Sequence, residues 1–424
     1  MPSMTRRTFM MGSAGLAAAN AVYAASPNEA LSIAAIGVGG QGKHDLKELA
    51  ARGVKVTALC DVDWRLAGKA FETYPDAKRY KDFRKMFDEQ SDFDGVVVAT
   101  PDHTHAVASL WSMGHGKHVY CEKPLTHTVR EARTLAAKYK ETGLATQMGN
   151  TGQASDGART MKEYLNSGAV GPVREVHVWT DRPIWPQAIE RPTNTKDIPD
   201  TLDWDLWLGT APERPFHSIY HPFRWRGWYD FGTGALGDIG CHRFHPIFYA
   251  LDFKHPTSVH ASSTRLYDET YPAGSIVHYE FPARGEWPAC SLTWYDGGLK
   301  PTRPRELEAG RSLRDNGNII YGDDGVMLDG RLLPESRMEE FPVPDETLER
   351  SPGHYEEWIE ACKGGSTPGA NFEMAGMVTE VVLLGNIALR TQERLEWDAA
   401  NLQISNHEDA NAMLHREYRS GWDG

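Results

Sequence analysis

Short, continuous apolar runs recur through the first third of the chain. They occupy residues 31–36, 54–60, 94–100, 118–121 and 145–148. Runs of this length are typical of strands that are buried on both faces of a parallel sheet, and stretches with helical spacing lie between them, as at 43–52 and 129–142. The alternation predicts an α/β domain over residues 30–150, with a doubly wound parallel sheet and right-handed crossovers.

After residue 150 the pattern changes to apolar and polar positions that alternate. Residues 276–281 alternate in this way, which indicates a strand with one packed face and one wet face. We therefore predict a second domain, residues 151–424, of α+β class with a large, mostly antiparallel open sheet. Residues 374–391 have the apolar spacing of a late helix. The predicted strands occupy residues 173–180, 258–267, 275–282, 289–295, 318–321 and 326–328.

The first 24 residues read as a targeting signal. Arg6 and Arg7 directly precede a mildly apolar stretch, and small residues around Ala24 provide a cleavage site. We interpret residues 1–24 as a twin-arginine signal, with an ordinary secretory signal or an N-terminal arm as alternatives. The apolar stretch is short for a membrane span and contains Gly and Asn, so we expect no stable membrane anchor. The protein is then periplasmic or otherwise exported.

Composition limits the partners. The chain has 424 residues, of which 40% are hydrophobic and 24% are charged, so it can bury a substantial core. Its formal net charge of -13 makes it a poor binder of phosphate backbones, and we expect no nucleic-acid partner. The 13 tryptophans either fill a core or form flat platforms for sugar rings.

A glycine-rich turn follows the first apolar run. The turn Gly37-Val38-Gly39-Gly40-Gln41-Gly42 has the GxGxxG spacing at Gly37, Gly39 and Gly42. Asp61 ends the second run 19 residues later, where a dinucleotide-binding fold holds the ribose diol. The pattern predicts a Rossmann domain that binds the pyrophosphate at a helix N-terminus. Asp61 favours NAD over NADP, although the nearby Arg65 leaves NADP open.

Two further motifs lie beyond the carboxyl ends of predicted strands, where such sheets bind ligands. Ala-Thr-Pro-Asp-His-Thr-His-Ala spans residues 99–106, and Tyr-Cys-Glu-Lys-Pro-Leu-Thr-His-Thr spans residues 120–128. With the glycine turn, these motifs resemble the glucose–fructose oxidoreductase, inositol dehydrogenase and rhizopine-catabolism (Gfo/Idh/MocA) superfamily. The resemblance covers nearly all of the chain after residue 24. It implies a second domain for substrate binding and oligomerisation, a late helix that packs back on the first domain, and a homo-oligomer, either a dimer or a tetramer.

The resemblance also implies a catalytic lysine. Lys123 would point at the substrate hydroxyl, and it can take a proton there if burial or neighbouring cationic charge lowers its pKa. The alternative is an ordinary surface lysine. The histidines of the 99–106 motif either shape the nicotinamide pocket or are structural. Besides the glycine turn, Asp61 and Lys123, the residues expected to contact the cofactor are Thr100, Pro101, His103, His105 and Glu122.

A third cluster of candidate residues lies between 224 and 245. Asp238 and His242 are spaced i, i+4 and match the family's D-x-x-x-H element, in which the acid contacts substrate hydroxyls and the histidine relays a proton. An acid that stabilises a helix N-terminus is the alternative. Arg224 and Trp225 are candidate substrate contacts, as is His245, which replaces an Asp of many members. Two histidines are too few ligands for a metal, so none is expected.

These features predict an exported NAD(P)-dependent oxidoreductase that acts on a secondary hydroxyl of a sugar or glycoside. Free NAD should be scarce outside the cytoplasm, so we expect a tightly held cofactor that a second substrate reoxidises. One alternative is an NAD-dependent glycosidase, which oxidises a ring hydroxyl transiently, eliminates the aglycone and reduces the ring again. Another is a non-catalytic relative that binds sugar or nucleotide.

Overall fold

The computed structural model describes residues 30–422. The predicted export signal, residues 1–24, lies outside the described residues. Two sheets organise the described chain, and each is the centre of an α/β layer arrangement.

The first sheet confirms the predicted parallel fold. Six strands within the described residues lie in the order β3-β2-β1-β4-β5-β6, and every neighbouring pair is parallel. They are β1 (Ser32–Ile36), β2 (Lys55–Cys60), β3 (Lys78–Tyr80), β4 (Gly95–Val98), β5 (His118–Cys121) and β6 (Thr146–Met148). The order reverses between β1 and β4, and their carboxyl ends open a crevice there. The helices are α1 (Gly40–Ala51), α2 (Trp64–Thr73), α3 (Phe83–Glu89), α4 (Asp102–Gly114) and α5 (Val129–Thr142).

The second sheet confirms the predicted, mostly antiparallel architecture. The helices after residue 150 are α6 (Asp156–Asn166), α7 (Trp204–Leu208), α8 (Cys241–Leu251), α9 (Arg337–Glu340), α10 (His354–Cys362), α11 (Phe372–Thr391) and α12 (Glu408–Ala412), of which α10 packs against the first sheet. The strands of the second sheet are β7 (Val173–Trp179), β8 (Ser258–Ser263), β9 (Ser275–Phe281), β10 (Cys290–Tyr295), β11 (Gly317–Gly322), β12 (Val326–Leu328), β13 (Arg331–Leu333), β14 (Leu395–Asp398) and β15 (Gln403–Ile404). They lie in the order β13-β12-β11-β7-β10-β9-β8-β14-β15, in which β7 and β10 are parallel and the other pairs antiparallel.

One side of this sheet forms the larger core. The alternate residues Val277, Tyr279 and Phe281 of β9 are buried against the apolar faces of α8 and α11, whereas Ile276 and His278 on the opposite side are partly exposed. The burial therefore has a period of two, as the sequence pattern indicated. The predicted strand 258–267 ends early at Ser263, because the chain turns into a loop there before it returns as β9.

Helix α11 joins the two sheets. Among the described residues it is the one helix long and apolar enough to cross a membrane, and most of it is packed inside the protein. Its Thr379 hydroxyl accepts a hydrogen bond from the Leu125 N–H at 3.2 Å, and the N–H of Phe372 donates to Thr146 Oγ1 at 3.0 Å. The late helix thus lies against the first domain and holds the segment that follows Lys123.

Candidate active site

The glycine turn lets α1 begin directly at the sheet. Gly37 has a φ of +83°, and a Cβ on it would lie 2.6 Å from the carbonyl oxygen of Ala99. A Cβ on Gly42 would lie 1.9 Å from the carbonyl oxygen of Gly37. Only glycine allows this approach of strand and helix. The backbone N–H groups at the start of α1 therefore face the crevice, as pyrophosphate binding requires.

Asp61 closes the other side of the turn. One oxygen of its carboxylate accepts the N–H groups of Val38 at 2.9 Å and Gly39 at 3.2 Å, and the other accepts the N–H of Asp63 at 2.9 Å. Burial raises the pKa of Asp61, and these backbone hydrogen bonds oppose the rise. The carboxylate is thus fixed at the end of β2, where a ribose hydroxyl would reach it.

The turn and the strand ends border one cleft of about 410 Å³. A cleft of this size, with a backbone cradle at one end and an acid at the ribose position, fits a dinucleotide. The residues expected to contact the cofactor that line it are Gly37, Gly39, Gly40, Gln41, Asp61, Thr100, Pro101, Glu122 and Lys123. Gly42 does not line the cleft; it packs against the backbone of Gly37 within the turn.

His103 and His105 do not line this cleft. The His103 ring lies between the carbonyl oxygens of Phe231 and Trp207, at 3.2 and 3.0 Å, and both rings are buried. The His105 ring lies between the carbonyl oxygens of Pro124 and Thr100, at 2.7 and 2.8 Å. Both histidines therefore hold backbone carbonyl groups and do not contact the cleft themselves. This is the structural role that the sequence left open for them.

The segment 183–226 supplies the opposite wall of the cleft. It packs on the loop after Asp61, where Asp63 accepts hydrogen bonds from Thr201 Oγ1 at 2.9 Å and His221 Nε2 at 3.0 Å. The N–H of Trp64 also donates to the carbonyl oxygen of Thr201. The wall residues are Leu206, Trp207, His221, Pro222, Phe223, Trp225 and Arg226. Trp225 therefore lies on the cofactor cleft, and only its place in a Trp/Arg-rich segment signalled a pocket role.

A buried charge cluster lies at the end of the cleft. The Lys123 ammonium donates to Oδ1 of Asp238 at 2.9 Å and to its carbonyl oxygen at 3.0 Å. Arg226 Nε donates to the same Oδ1 at 3.1 Å. Asp102 also lines the cleft and accepts a hydrogen bond from Thr233 Oγ1 at 2.7 Å. Sequence analysis did not assign a role to Asp102, although it lies inside the 99–106 motif.

The pKa of Lys123 differs from the sequence-based expectation. Burial alone would lower it, but the charges of Asp238 and Glu122 outweigh burial and raise the pKa above its ordinary value. Lys123 is therefore a cation, and the lowered pKa that a lysine base needs is not present. Two carboxyl groups of the cleft are weaker acids than usual. Burial raises the pKa of Glu122 to about 8 and that of Asp102 to about 7.

Asp238 and His242 lie on one continuous helical segment, as their spacing predicted. Residues Leu236–Gly240 form a π-helical turn that continues into α8. Such turns are frequent at functional sites because they realign side chains within a helix. Burial and, to a smaller extent, the charge of Lys123 lower the pKa of His242 to about 3. The ring is therefore neutral at neutral pH, and its pKa lies well below the near-neutral value that is usual for histidine.

His242 also borders a second cavity, of about 440 Å³, which we call the distal pocket. Helices α6 and α8 form one side of it, and the segment that leads into β11 and the turn after β12 form the other. Its polar lining residues are Ser155, His242, Arg243, Arg314, Asn316, Asn318 and Asp329.

Two of the predicted substrate contacts lie elsewhere. Arg224 is exposed and lines neither the cleft nor the distal pocket. His245 is fully buried, and its Nδ1 accepts a hydrogen bond from the Asn150 side chain at 3.2 Å. Three residues after His242, its side chain is rotated by about 60° around α8 and is buried beside Asn150. Within residues 30–422, no group of three or more His, Cys, Asp or Glu side chains is placed to hold a metal ion.

The comparison with family models assigns both domains. Residues 31–150 match the model described as "Oxidoreductase family, NAD-binding Rossmann fold", and residues 162–282 match "Oxidoreductase family, C-terminal alpha/beta domain". Together the two matches cover more than half of the chain. Both models belong to the Gfo/Idh/MocA family.

Curated relatives and solved structures agree with these matches. The chain is 32% identical to inositol 2-dehydrogenase of Burkholderia multivorans over 187 residues, which are 42% of this chain and 54% of the relative. It therefore spans about half the length of the curated relatives it matches. The fold is similar to the WlbA dehydrogenase from Bordetella pertussis in complex with NADH and UDP-GlcNAcA, with a TM-score of 0.62 and 16% identity over 87% of this chain and 99% of that chain.

A second solved structure gives the same result. It is myo-inositol dehydrogenase from Lactobacillus casei in complex with NAD(H) and myo-inositol, with a TM-score of 0.57 and 17% identity over 88% of this chain and 98% of that chain. At such identities the likeness shows the fold alone. The two family matches, the parallel sheet and the cleft at its glycine turn agree: the chain belongs to the Gfo/Idh/MocA oxidoreductase family and carries its NAD-binding Rossmann domain.

Proposed function

We propose that the protein is an NAD-dependent oxidoreductase that acts on a secondary hydroxyl of a sugar or glycoside. The carrying observation is the cationic Lys123, held by Asp238 at the end of the dinucleotide cleft and close to a neutral His242. When bound, NAD supplies the carbon that accepts or returns the hydride. An inositol 2-dehydrogenase among the curated relatives and a structural neighbour in complex with myo-inositol support a polyhydroxylated substrate.

Lys123 acts as a hydrogen-bond donor to the reacting oxygen. An ammonium has three N–H groups, and among the described residues two of them bond Asp238. The third can reach a substrate oxygen in the cleft. Its positive charge stabilises the negative charge that develops on that oxygen as the hydroxyl proton leaves. Asp238 and Arg226 keep the ammonium in place.

His242 is the proton acceptor in this scheme. Its ring is neutral, so a ring nitrogen has a free lone pair for the hydroxyl proton. The adjacent carboxylate of Asp238 stabilises the imidazolium that forms. In the reductive direction the same ring returns the proton to the oxygen.

The decisive experiment is a substrate panel. Purified protein is incubated with sugars, inositols and chromogenic glycosides, and both nicotinamide absorbance and aglycone release are followed. Oxidation of a sugar coupled to NADH formation, or to reduction of a second sugar, supports the proposal. Aglycone release without net NADH favours the glycosidase alternative instead. Binding without turnover of any member favours the non-catalytic relative.

We further propose that the cofactor is NAD and that it dissociates slowly. The segment 183–226 covers the cleft and is tied to Asp63, next to the ribose-binding Asp61, so cofactor release requires these contacts to open. Arg65, which left NADP open, is paired with Asp63 at 3.0 Å. Mass analysis of nucleotide released by denaturation tests both points. Near-stoichiometric NAD(H) supports them, whereas NADP(H) or an empty protein contradicts one or both.

Export and self-association are also proposals. Arg6 and Arg7 support twin-arginine export, and substitution of both by lysine should keep the protein in the cytoplasm of the producing cell. The partly exposed face of the second sheet, with Ile276 and His278, supports association of copies through that face. Light scattering of the purified protein distinguishes a monomer from the proposed dimer or tetramer.

A further inference from the structure

His242 relates the distal pocket to the charge cluster. His242 borders this pocket, and the ring also lies within electrostatic range of Lys123 and Asp238. A substrate whose reacting hydroxyl lies between Lys123 and His242 therefore has its remaining atoms next to the distal pocket. This step rests on the proposed function, because it takes those two side chains as the place of reaction.

Two guanidinium groups border the distal pocket without a partner among the described residues; Arg243 is partly buried and Arg314 is exposed. The side chains of Arg243 and Arg314 make no ion pair and no hydrogen bond with any residue in the range 30–422. By contrast, Arg226 in the cleft is paired with Asp238, and Arg331 near the pocket is paired with Glu308. A planar guanidinium without a partner offers a donor fork that matches a carboxylate, phosphate or sulfate.

The charges that face these arginines leave an excess of positive charge. Asp329 is the acidic residue among those that line the pocket, and its Oδ1 already accepts the backbone N–H of Asn318 at 2.9 Å. The charges of both arginines lower the pKa of Asp329 against the larger effect of burial, which raises it. All three charges are thus within range of one another, and two cations face one anion. In a chain of net charge -13, such a local excess attracts anions.

The uncharged lining suits a sugar. Asn316 and Asn318 add side-chain amides, which donate to and accept from hydroxyl groups. A volume of about 440 Å³ is within the usual range of small-molecule pockets. The pocket therefore combines hydroxyl-binding groups with an anion-binding fork, beside the residue that we assign as proton acceptor.

We propose that the distal pocket holds an anionic group of the sugar substrate, and that Arg243 and Arg314 make the enzyme selective for acidic sugars. The shared chemistry is a carboxylate, phosphate or sulfate on a polyhydroxylated ring. The two arginines are specificity-determining residues and take no part in the proton transfer.

Calorimetric titration of the NAD-loaded protein tests this selectivity. The ligands are glucose, glucuronate, glucose 6-phosphate and glucose 6-sulfate, and the same set is repeated on the galactose ring. We expect at least one anionic member to bind at least about tenfold more tightly than its neutral counterpart. The member that binds best identifies the anionic group.

Variants locate the effect. In Arg243→Gln/Arg314→Gln the preference should fall to about twofold or less, while the retained NAD, measured by mass, stays the same. Arg130→Gln is the matched control, because its guanidinium also has no partner among the described residues but lies outside the distal pocket. A preference that survives the double variant, equal binding of neutral and anionic sugars, or no binding of any anionic member overturns the inference.

Turnover of the same ligands separates this inference from the proposed function. Turnover of the neutral sugar without preference overturns the anion pocket and leaves the oxidoreductase proposal intact. An anion preference that depends on both arginines, without turnover of any member, overturns the oxidoreductase proposal and leaves the pocket.

Discussion

The cofactor cleft and the distal pocket are built in opposite ways. The sheet side of the cleft takes its residues from the segments that follow β1, β2, β4 and β5, and the parallel sheet brings those strand ends to one edge, whereas segment 183–226 supplies the opposite wall. The distal pocket takes its residues from the start of α6, from α8 and from the loops around β11 and β12. The first region is therefore readable from local sequence, whereas the second exists only because a helix and a sheet edge meet.

The pKa shifts of the buried groups also differ between the two regions. In the cleft, burial raises the pKa of Asp102 and Glu122, so carboxyl groups tend to be neutral. At the border with the distal pocket, burial lowers the pKa of His242, so this ring is neutral. Burial thus favours the neutral form of acids in the cleft and the neutral form of the histidine at the border of the distal pocket.

The largest effect is expected at Lys123, where the two regions meet. In Lys123→Ala the reacting oxygen loses its cationic donor, and kcat/KM should fall by about 10² to 10⁴. The retained NAD should change little, because the glycine turn and Asp61 remain. Lys69→Ala, at an exposed position on α2, is the control. Unchanged turnover in Lys123→Ala would show that the catalytic assignment is wrong.

Asp102 tests the neutral carboxyl group in the cleft. The pKa of Asp102 is about 7 in the folded protein and about 4 in the unfolded chain. Its contribution to folding stability is therefore complete below the unfolded pKa and is lost as the pH rises towards 7. Asp102→Asn should therefore gain stability relative to wild type as pH rises, by up to about 1.4 kcal/mol per pH unit and about 4 kcal/mol in total. Denaturant unfolding at several pH values measures it. A difference that stays flat from pH 4 to 8 contradicts the buried, neutral carboxyl group.

The glycine turn gives a smaller effect confined to the cofactor side. In Gly42→Ala the new Cβ meets the Gly37 carbonyl oxygen at 1.9 Å, so the turn must shift, at a cost of about 1–3 kcal/mol. NAD affinity should fall by about one to two orders of magnitude, as measured by fluorescence titration. Gly68→Ala on α2 is matched, because nothing lies within 4 Å of its Cβ. Equal NAD affinity in both variants would contradict the tight turn.

The smallest effect is expected where segment 183–226 covers the cleft. In His221→Ala the hydrogen bond to Asp63 is lost, and NAD should dissociate about tenfold faster, which corresponds to about 1.4 kcal/mol. Stopped-flow displacement of bound NADH measures the rate. The control is His115→Ala. His115 follows the C-terminal end of α4, whereas the N-terminal end of that helix borders the cleft, so this variant should leave the rate of NADH dissociation unchanged. If both variants release NADH at the wild-type rate, this contact does not control cofactor exchange.

Local patterns predicted most of the first domain and little of its edge. Strand β5 and helix α5 have the bounds that the sequence indicates, because a buried parallel strand is apolar throughout and α5 starts with the capping pair Thr128 and Glu131. Strand β3 was not predicted, because an edge strand with two exposed basic residues has no apolar run. The same limit applies to β13 and β15, which are two or three residues long.

Sequence by itself determined the parallel sheet, the glycine turn, Asp61 and the candidate residues Lys123, Asp238 and His242, because these follow from local spacing and from a shared motif. Only the tertiary structure decided their protonation: Lys123 is a cation and His242 is neutral because each is buried beside particular charges. Only the tertiary structure buried His245 and brought Arg243 and Arg314 to one pocket, where neither has a partner among residues 30–422. Burial and charge pairing depend on residues far apart in the chain, and no local pattern records which of them meet.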